Sequence, residues 1–137
     1  MQEVLSSGRL VMSTGRVYNF DRREVAKNPF YWRPKILNYP VQGTGADLVA
    51  IGRVTANKRL KKAGLPFLWQ STVHDSIDID VDGSQEVCYN IAKIVKESIE
   101  DIPTNFYRLF GVEFNLPVSC EIGIGPTLGD LKPFEAV

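Results

Sequence analysis

Phe67-Leu68-Trp69-Gln70-Ser71-Thr72-Val73 and Ile77-Asp78-Ile79-Asp80-Val81, separated by His74-Asp75-Ser76, decide how this chain is read. Both runs are rich in β-branched and aromatic residues, and the polar break between them predicts a β-hairpin. A carboxylate at such a tip projects from a stiff support with little freedom, which is what a metal-holding acid needs. Asp75 is placed there, beside His74, the single histidine of the chain. One histidine excludes sites that gather several imidazoles around a metal. A serine triad is equally poorly served, because neighbours on a strand point to opposite faces. The acids Asp78, Asp80 and Asp82 have the spacing of oxygen ligands, but the glycine and distal glutamate of a calcium loop are missing. They read as a solvated strand edge guarded against aggregation.

Working outward, residues 38–47, Asn-Tyr-Pro-Val-Gln-Gly-Thr-Gly-Ala-Asp, are the second informative stretch. Pro40 and Gly43 predict a backbone turn, and Thr44 is placed to cap a helix carrying Ala46, Leu48, Val49, Ile51, Val54 and Ala56 at helical spacing. Gly64 and Pro66 end it, and Lys58, Arg59, Lys61 and Lys62 near its end read as a solvated face. Asn38 and Gln42 fall on one side. Paired amides can read the acceptors that every base pair shows in the minor groove, or can satisfy local backbone groups. A Walker phosphate loop is excluded, since its lysine and glycine spacing are absent.

Residues 21–34 mix Arg22, Arg23, Lys27 and Arg33 with Phe30, Tyr31 and Trp32, a pattern that suits either a nucleic-acid backbone or a loop plugging a core edge. Before them, residues 1–20 read as surface, with a short extended segment at Arg16-Val17-Tyr18. After the hairpin, Ser84 caps a helix with Val87, Ile91, Ile94, Val95 and Ser98 on one stripe, expected to pack on the hairpin sheet. A helical turn over residues 104–109 ends at Gly111, Val118, Cys120, Ile122 and Ile124 alternate as a final strand, and the tail after Gly125 reads as irregular.

The composition bounds the rest. With 137 residues, 44% of them hydrophobic and 23% charged, the chain fits one folded α+β domain. Sixteen basic residues cancel sixteen acidic ones, so any nucleic-acid face must be local. Cys88 and Cys120 have neither the density of a disulfide framework nor the spacing of a zinc site, and read as reduced structural thiols. No signal sequence or apolar run long enough to span a bilayer is present, which leads to the expectation of a cytoplasmic protein.

The order Gly15-Arg16, residues 38–47, Val73-His74-Asp75 and residues 118–125 resembles the C-terminal palm of A-family DNA polymerases, the group of bacterial polymerase I and phage replicases. The resemblance covers nearly the whole sequence. It implies an antiparallel palm sheet whose catalytic hairpin packs against helices. It also implies template-directed DNA synthesis from a primer 3′-hydroxyl and deoxynucleoside triphosphates.

By the resemblance Asp75 is a ligand of the catalytic magnesium ions and His74 contacts the primer terminus. Asn38 and Gln42 then line the primer-template minor groove, and Arg16 touches the DNA backbone, with Arg33 a further DNA contact. Two departures stand out. Ser76 occupies the place of the family's glutamate, and Pro34, between Arg33 and Lys35, that of its arginine. The first catalytic aspartate and the fingers helix have no counterpart in these residues, and a two-metal site needs carboxylates from separate strands. The expectation is therefore a subunit of a split polymerase of phage type, inactive alone and completed by a second polypeptide. A catalytically inactive DNA-binding scaffold is a second reading, and a segment cut from a longer polymerase is a third.

Overall fold

The computed structural model describes residues 1–134. The chain, expected as one domain, divides into two compact units, Met1–Asp47 and Leu48–Val137.

In the first unit, α1 (Gln2–Ser7), β1 (Arg9–Val11), β2 (Val17–Asn19) and α2 (Arg22–Lys27) precede α3 (Pro29–Ala63), which begins here and ends in the second unit. Gly8 stops α1 at φ 73° and donates its N–H to the Val4 carbonyl, so the chain turns directly into β1. β1 and β2 pair antiparallel, Leu10 opposite Tyr18. The Asp21 carboxylate caps α2 by accepting the N–H groups of Arg23 and Glu24. Residues 21–34 are thus mostly helical, with α2 and the first turns of α3 separated at Asn28. Val4, Val25 and Ile36 form the core, with Leu10, Phe20 and Trp32 packed on it. Tyr39 of α3 lies 5.7 Å from the ring centres of both Tyr18 and Phe20, an aromatic layer between β2 and α3.

The helix expected to start at Thr44 starts at Pro29, a correction with a definite cause. Pro34 and Pro40 each remove one helical hydrogen bond, which argues for a turn, yet both lie inside α3. Burying Ile36, 2% exposed, and Trp32 against the core holds the helix through them, so packing overrides propensity. Thr44 is not a cap. Its hydroxyl donates to the Pro40 carbonyl at 2.8 Å, within the helix.

In the second unit, α3 ends as expected at Gly64, φ 66°. The N–H of Gly64 bonds the Lys61 carbonyl and that of Leu65 the Leu60 carbonyl, a Schellman stop. Then follow β3 (Leu68–Val73), β4 (Ser76–Asp80), α4 (Gln85–Glu100), α5 (Ile102–Phe110), β5 (Gly123–Ile124) and β6 (Lys132–Pro133). Ser84 caps α4 as expected, accepting the Val87 N–H, and Gly111 ends α5 at φ 67°. Ile51 of α3 joins Ile102 and Phe106 of α5 in the core, with Leu48, Ile99 and Phe114 around them. Gly52 is required there: an added methyl would meet Ile99 at 2.5 Å.

Three two-stranded antiparallel sheets form, so the fold is α+β, without one continuous sheet among the described residues. The final strand expected over residues 118–124 pairs only at Gly123–Ile124, with β6 in the tail expected to be irregular. Val118, Cys120 and Ile122 do alternate half-buried with exposed neighbours, but without a partner strand they lack a ladder. No helix among the described residues is long and apolar enough to cross a membrane.

Candidate active-site hairpin and nucleic-acid face

The hairpin forms where the sequence placed it. Val73 pairs with Ser76, leaving His74 and Asp75 as a two-residue turn. His74 has φ 53°, a left-handed conformation that hairpin turns usually assign to glycine or asparagine. Holding a histidine there costs on the order of 1 kcal/mol. Ser76 closes the turn by donating its hydroxyl to the Val73 carbonyl at 3.0 Å. The residue at the family's glutamate position is therefore a turn-closing group. A bulge at Gln70 shifts the register between Trp69 and Ser71.

The hairpin was expected to pack against α4, but its side-chain hydrogen bonds run to α3. Trp69 Nε1 donates to Asn57 Oδ1 and Arg53 to Thr72 Oγ1, both at 3.0 Å. Arg53 and Asn57 are one turn apart on α3, so one helix face offers two anchors to β3. These residues carry no motif, and only the polar periodicity of the helix hinted at them.

His74 and Asp75 are both exposed, and no hydrogen bond or ion pair joins either side chain to another described residue. The neighbouring acids differ. Asp78 accepts the Ser71 hydroxyl and Asp80 the Gln70 amide at 3.4 Å, so cross-strand bonds occupy them. Among the described residues no three histidine, cysteine, aspartate or glutamate side chains gather where they can hold a metal ion. Asp75 offers a carboxylate with no side-chain partner among the described residues, and no second acid gathers with it into a metal-holding group there.

The remaining expected contacts lie in the first unit. Asn38 and Gln42 are exposed and lie one turn apart on α3, on a helix rather than on the expected turn. Arg33 is exposed on the first turns of α3, while Lys35 sits over the Tyr31 ring at 3.7 Å. Arg16 departs from expectation. Its guanidinium grips both oxygens of Asp47, and Thr14 adds a hydroxyl at 3.5 Å. The hydrogen bond to Asp47, and then its charge, hold Arg16 above its ordinary pKa. The contact depends on Gly43. A methyl at that position would run into the Tyr18 hydroxyl and meet the Arg16 stem at 3.3 Å. The glycine therefore serves a close approach of β2 to α3.

Of the four basic residues at the end of α3, Arg59 is not merely solvated, for it pairs with Asp101. Burial and the nearby Glu100 push the Cys120 thiol up, in keeping with an unreactive structural cysteine, and both cysteines are free.

The sequence is 34% identical over 102 residues to a DNA polymerase of Bacillus phage SP01, an alignment covering 73% of this chain and 10% of the relative. It is 34% identical over 88 residues to the thermostable DNA polymerase I of Thermus filiformis, covering 64% of the chain and 9% of the relative. The DNA polymerase I of Deinococcus radiodurans matches at 30% over 97 residues, 69% of the chain and 9% of that protein. These matches support the chain as a portion of an A-family DNA polymerase. It spans about a tenth of the length of these polymerases. No family model and no solved structure matches it.

Proposed function

We propose that this A-family polymerase segment forms the C-terminal part of a palm and takes part in template-directed DNA synthesis, with Asp75 as its metal-holding acid. The observation that carries this reading is the exposed Asp75 carboxylate at the tip of an anchored hairpin, in a chain related to DNA polymerases. Its neighbours Asp78 and Asp80 are occupied by cross-strand bonds.

In this reading the hairpin fixes Asp75 through α3, so that the carboxylate need not reorganise during phosphoryl transfer. His74, held at φ 53°, presents its imidazole beside Asp75 toward a primer terminus. Asn38 and Gln42 offer amides to the minor groove of primer-template DNA, where acceptors are common to all base pairs. Arg33 meets backbone phosphates, and Arg16 does so only with the part of its guanidinium that Asp47 leaves free. Asp75, together with carboxylates from outside these residues, would hold magnesium, which would supply charge neutralisation at the transferred phosphate. Those carboxylates and the nucleotide-gripping groups come from the rest of the enzyme, which in a split polymerase is a second polypeptide. The isolated chain is accordingly inactive.

Primer extension tests this in a complex restored with the remaining polymerase part. Asp75→Ala abolishes extension while DNA binding stays, and robust extension by the purified chain alone overturns the need for a partner. One observation favours a different reading, a non-catalytic scaffold: Ser76 stands where the family has an acid and is turned back onto Val73. In that case Asp75→Ala leaves extension by the complex unchanged.

A further inference from the structure

Although the chain carries no net charge, its first unit concentrates arginines around one open depression of about 780 Å³. Arg9 at the start of β1 and Arg22 and Arg23 at the start of α2 line it, with Ser7, Asn19 and Asp21 between them. Three arginines and one aspartate line it, and that carboxylate is already engaged by the Arg23 and Glu24 N–H groups of the α2 cap. The lining is therefore cationic on balance.

The cradle is also pre-set. Arg22 Nε donates to the Leu5 carbonyl at 3.0 Å, and its stem passes within 3.1 Å of where a methyl on Gly8 would sit. Gly8 at φ 73° thus both turns the chain and leaves room for Arg22, whose terminal nitrogens remain for a ligand. Lys27, by contrast, pairs with Glu24 at 2.9 Å and is turned to that carboxylate. The basic run of residues 22–33 is thereby divided by the fold, and Arg9, thirteen residues before Arg22, joins the part that stays free.

We infer that Arg9, Arg22 and Arg23 form a phosphate-binding cradle for the backbone of a nucleic acid, separate from the contacts expected of Asn38, Gln42 and His74. Guanidiniums suit phosphate oxygens because they donate paired N–H groups in a fixed fork. An open, exposed depression admits a continuous strand and gives no means of reading bases, so binding is independent of sequence. The inference rests on the polymerase reading for its choice of polyanion, and its test does not depend on catalysis.

The test is fluorescence anisotropy of the full chain with labelled single-stranded and primer-template DNA across a salt series, for wild type and an Arg9→Ala/Arg23→Ala double variant. Arg22 is spared because it braces Leu5. The double variant should weaken binding to every sequence alike and lower the salt slope by about 2, roughly one for each phosphate no longer neutralised. Arg9→Lys/Arg23→Lys should restore most of the slope, and thermal melting should match wild type. An unchanged slope in the alanine variant, or no DNA binding by wild type, overturns the cradle. Displacement of DNA by micromolar inorganic pyrophosphate or deoxynucleoside triphosphate overturns the nucleic-acid assignment in favour of a free polyphosphate. None of these outcomes bears on Asp75, whose role is read by primer extension.

Discussion

Two aspartates lie in the two stretches that make this sequence legible, and the fold treats them oppositely. Asp47 closes the segment that begins at Asn38, and its carboxylate is consumed by Arg16 and Thr14. Asp75 sits at the tip of the hairpin, exposed, on a turn whose other residue is held in a left-handed conformation. The first ties the β1–β2 connection to α3, whereas the second is carried on a support and has no side-chain partner among the described residues. A carboxylate that is satisfied internally explains local architecture, and one left free on rigid backbone is available for chemistry. The difference is of surroundings, since the residue type is the same.

The comparison breaks most visibly at Asp75. Asp75→Ala should lower nucleotidyl transfer by the restored complex by at least about 10²–10³-fold, the scale of losing one electrostatic stabiliser of a transition state. Folding stability should move by less than about 0.5 kcal/mol, since the side chain is exposed. Steady-state extension rates with urea melts check both, and a rate within a few-fold of wild type would put Asp75 on the same footing as Asp47.

The Asp47 side is next. Gly43→Ala forces a methyl into the Tyr18 hydroxyl, and overpacking of this kind costs about 1–3 kcal/mol, more than the roughly 1 kcal/mol of helix propensity gained. Gly45, two positions along the same helix, has nothing within 4 Å of the corresponding methyl, so Gly45→Ala should stabilise by about 0.5–1 kcal/mol. Opposite signs from neighbouring glycines would be seen in denaturant midpoints, and Tyr18→Ala should remove most of the Gly43→Ala penalty in a double-mutant cycle. Equal effects at the two positions would mean that Gly43 is not there for Tyr18.

A smaller effect separates function from stability at the tip. His74→Gly relieves the φ 53° conformation and should leave stability unchanged or raise it by up to about 1 kcal/mol, while extension falls because the imidazole is gone. Destabilisation by this variant would show that the histidine is a structural part of the turn.

The two aspartates also show what the sequence could and could not convey. The hairpin, the Ser84 cap, the Gly64 and Gly111 stops and the α4 stripe were readable because each depends on a few neighbouring residues. The start of α3 was not. Pro34 and Pro40 are strong local signals for a break, and only burial of Ile36 and Trp32 against residues from elsewhere in the chain overrides them. The same limit hid the Arg16–Asp47 contact, whose partners are 31 positions apart, and the Arg53 and Asn57 anchors of the hairpin. Candidate chemistry at His74 and Asp75 was legible from a turn and a motif. Which acid is free and which is occupied required the fold.

The finest test concerns the ion pair. Asp47→Asn keeps the shape of the side chain and one acceptor but removes the charge that faces Arg16. Because Asp47 holds Arg16 above the ordinary arginine range, the guanidinium's share of stability is present throughout the neutral and mildly alkaline range and is lost only as pH rises through the raised value. Varying pH between 7 and 10 therefore leaves the arginine charged, and ionic strength is the sharper probe. Arg16 is exposed, so the pair is screened, and Asp47→Asn should lower the melting temperature modestly at low salt and barely at about 1 M, where the Debye length falls to about 3 Å. Primer extension through Asp75 should be unaffected once the protein is folded. If Asp47→Asn instead removes extension while melting is unchanged, then Asp47 shares the chemistry, and the division between an architectural and a free aspartate fails.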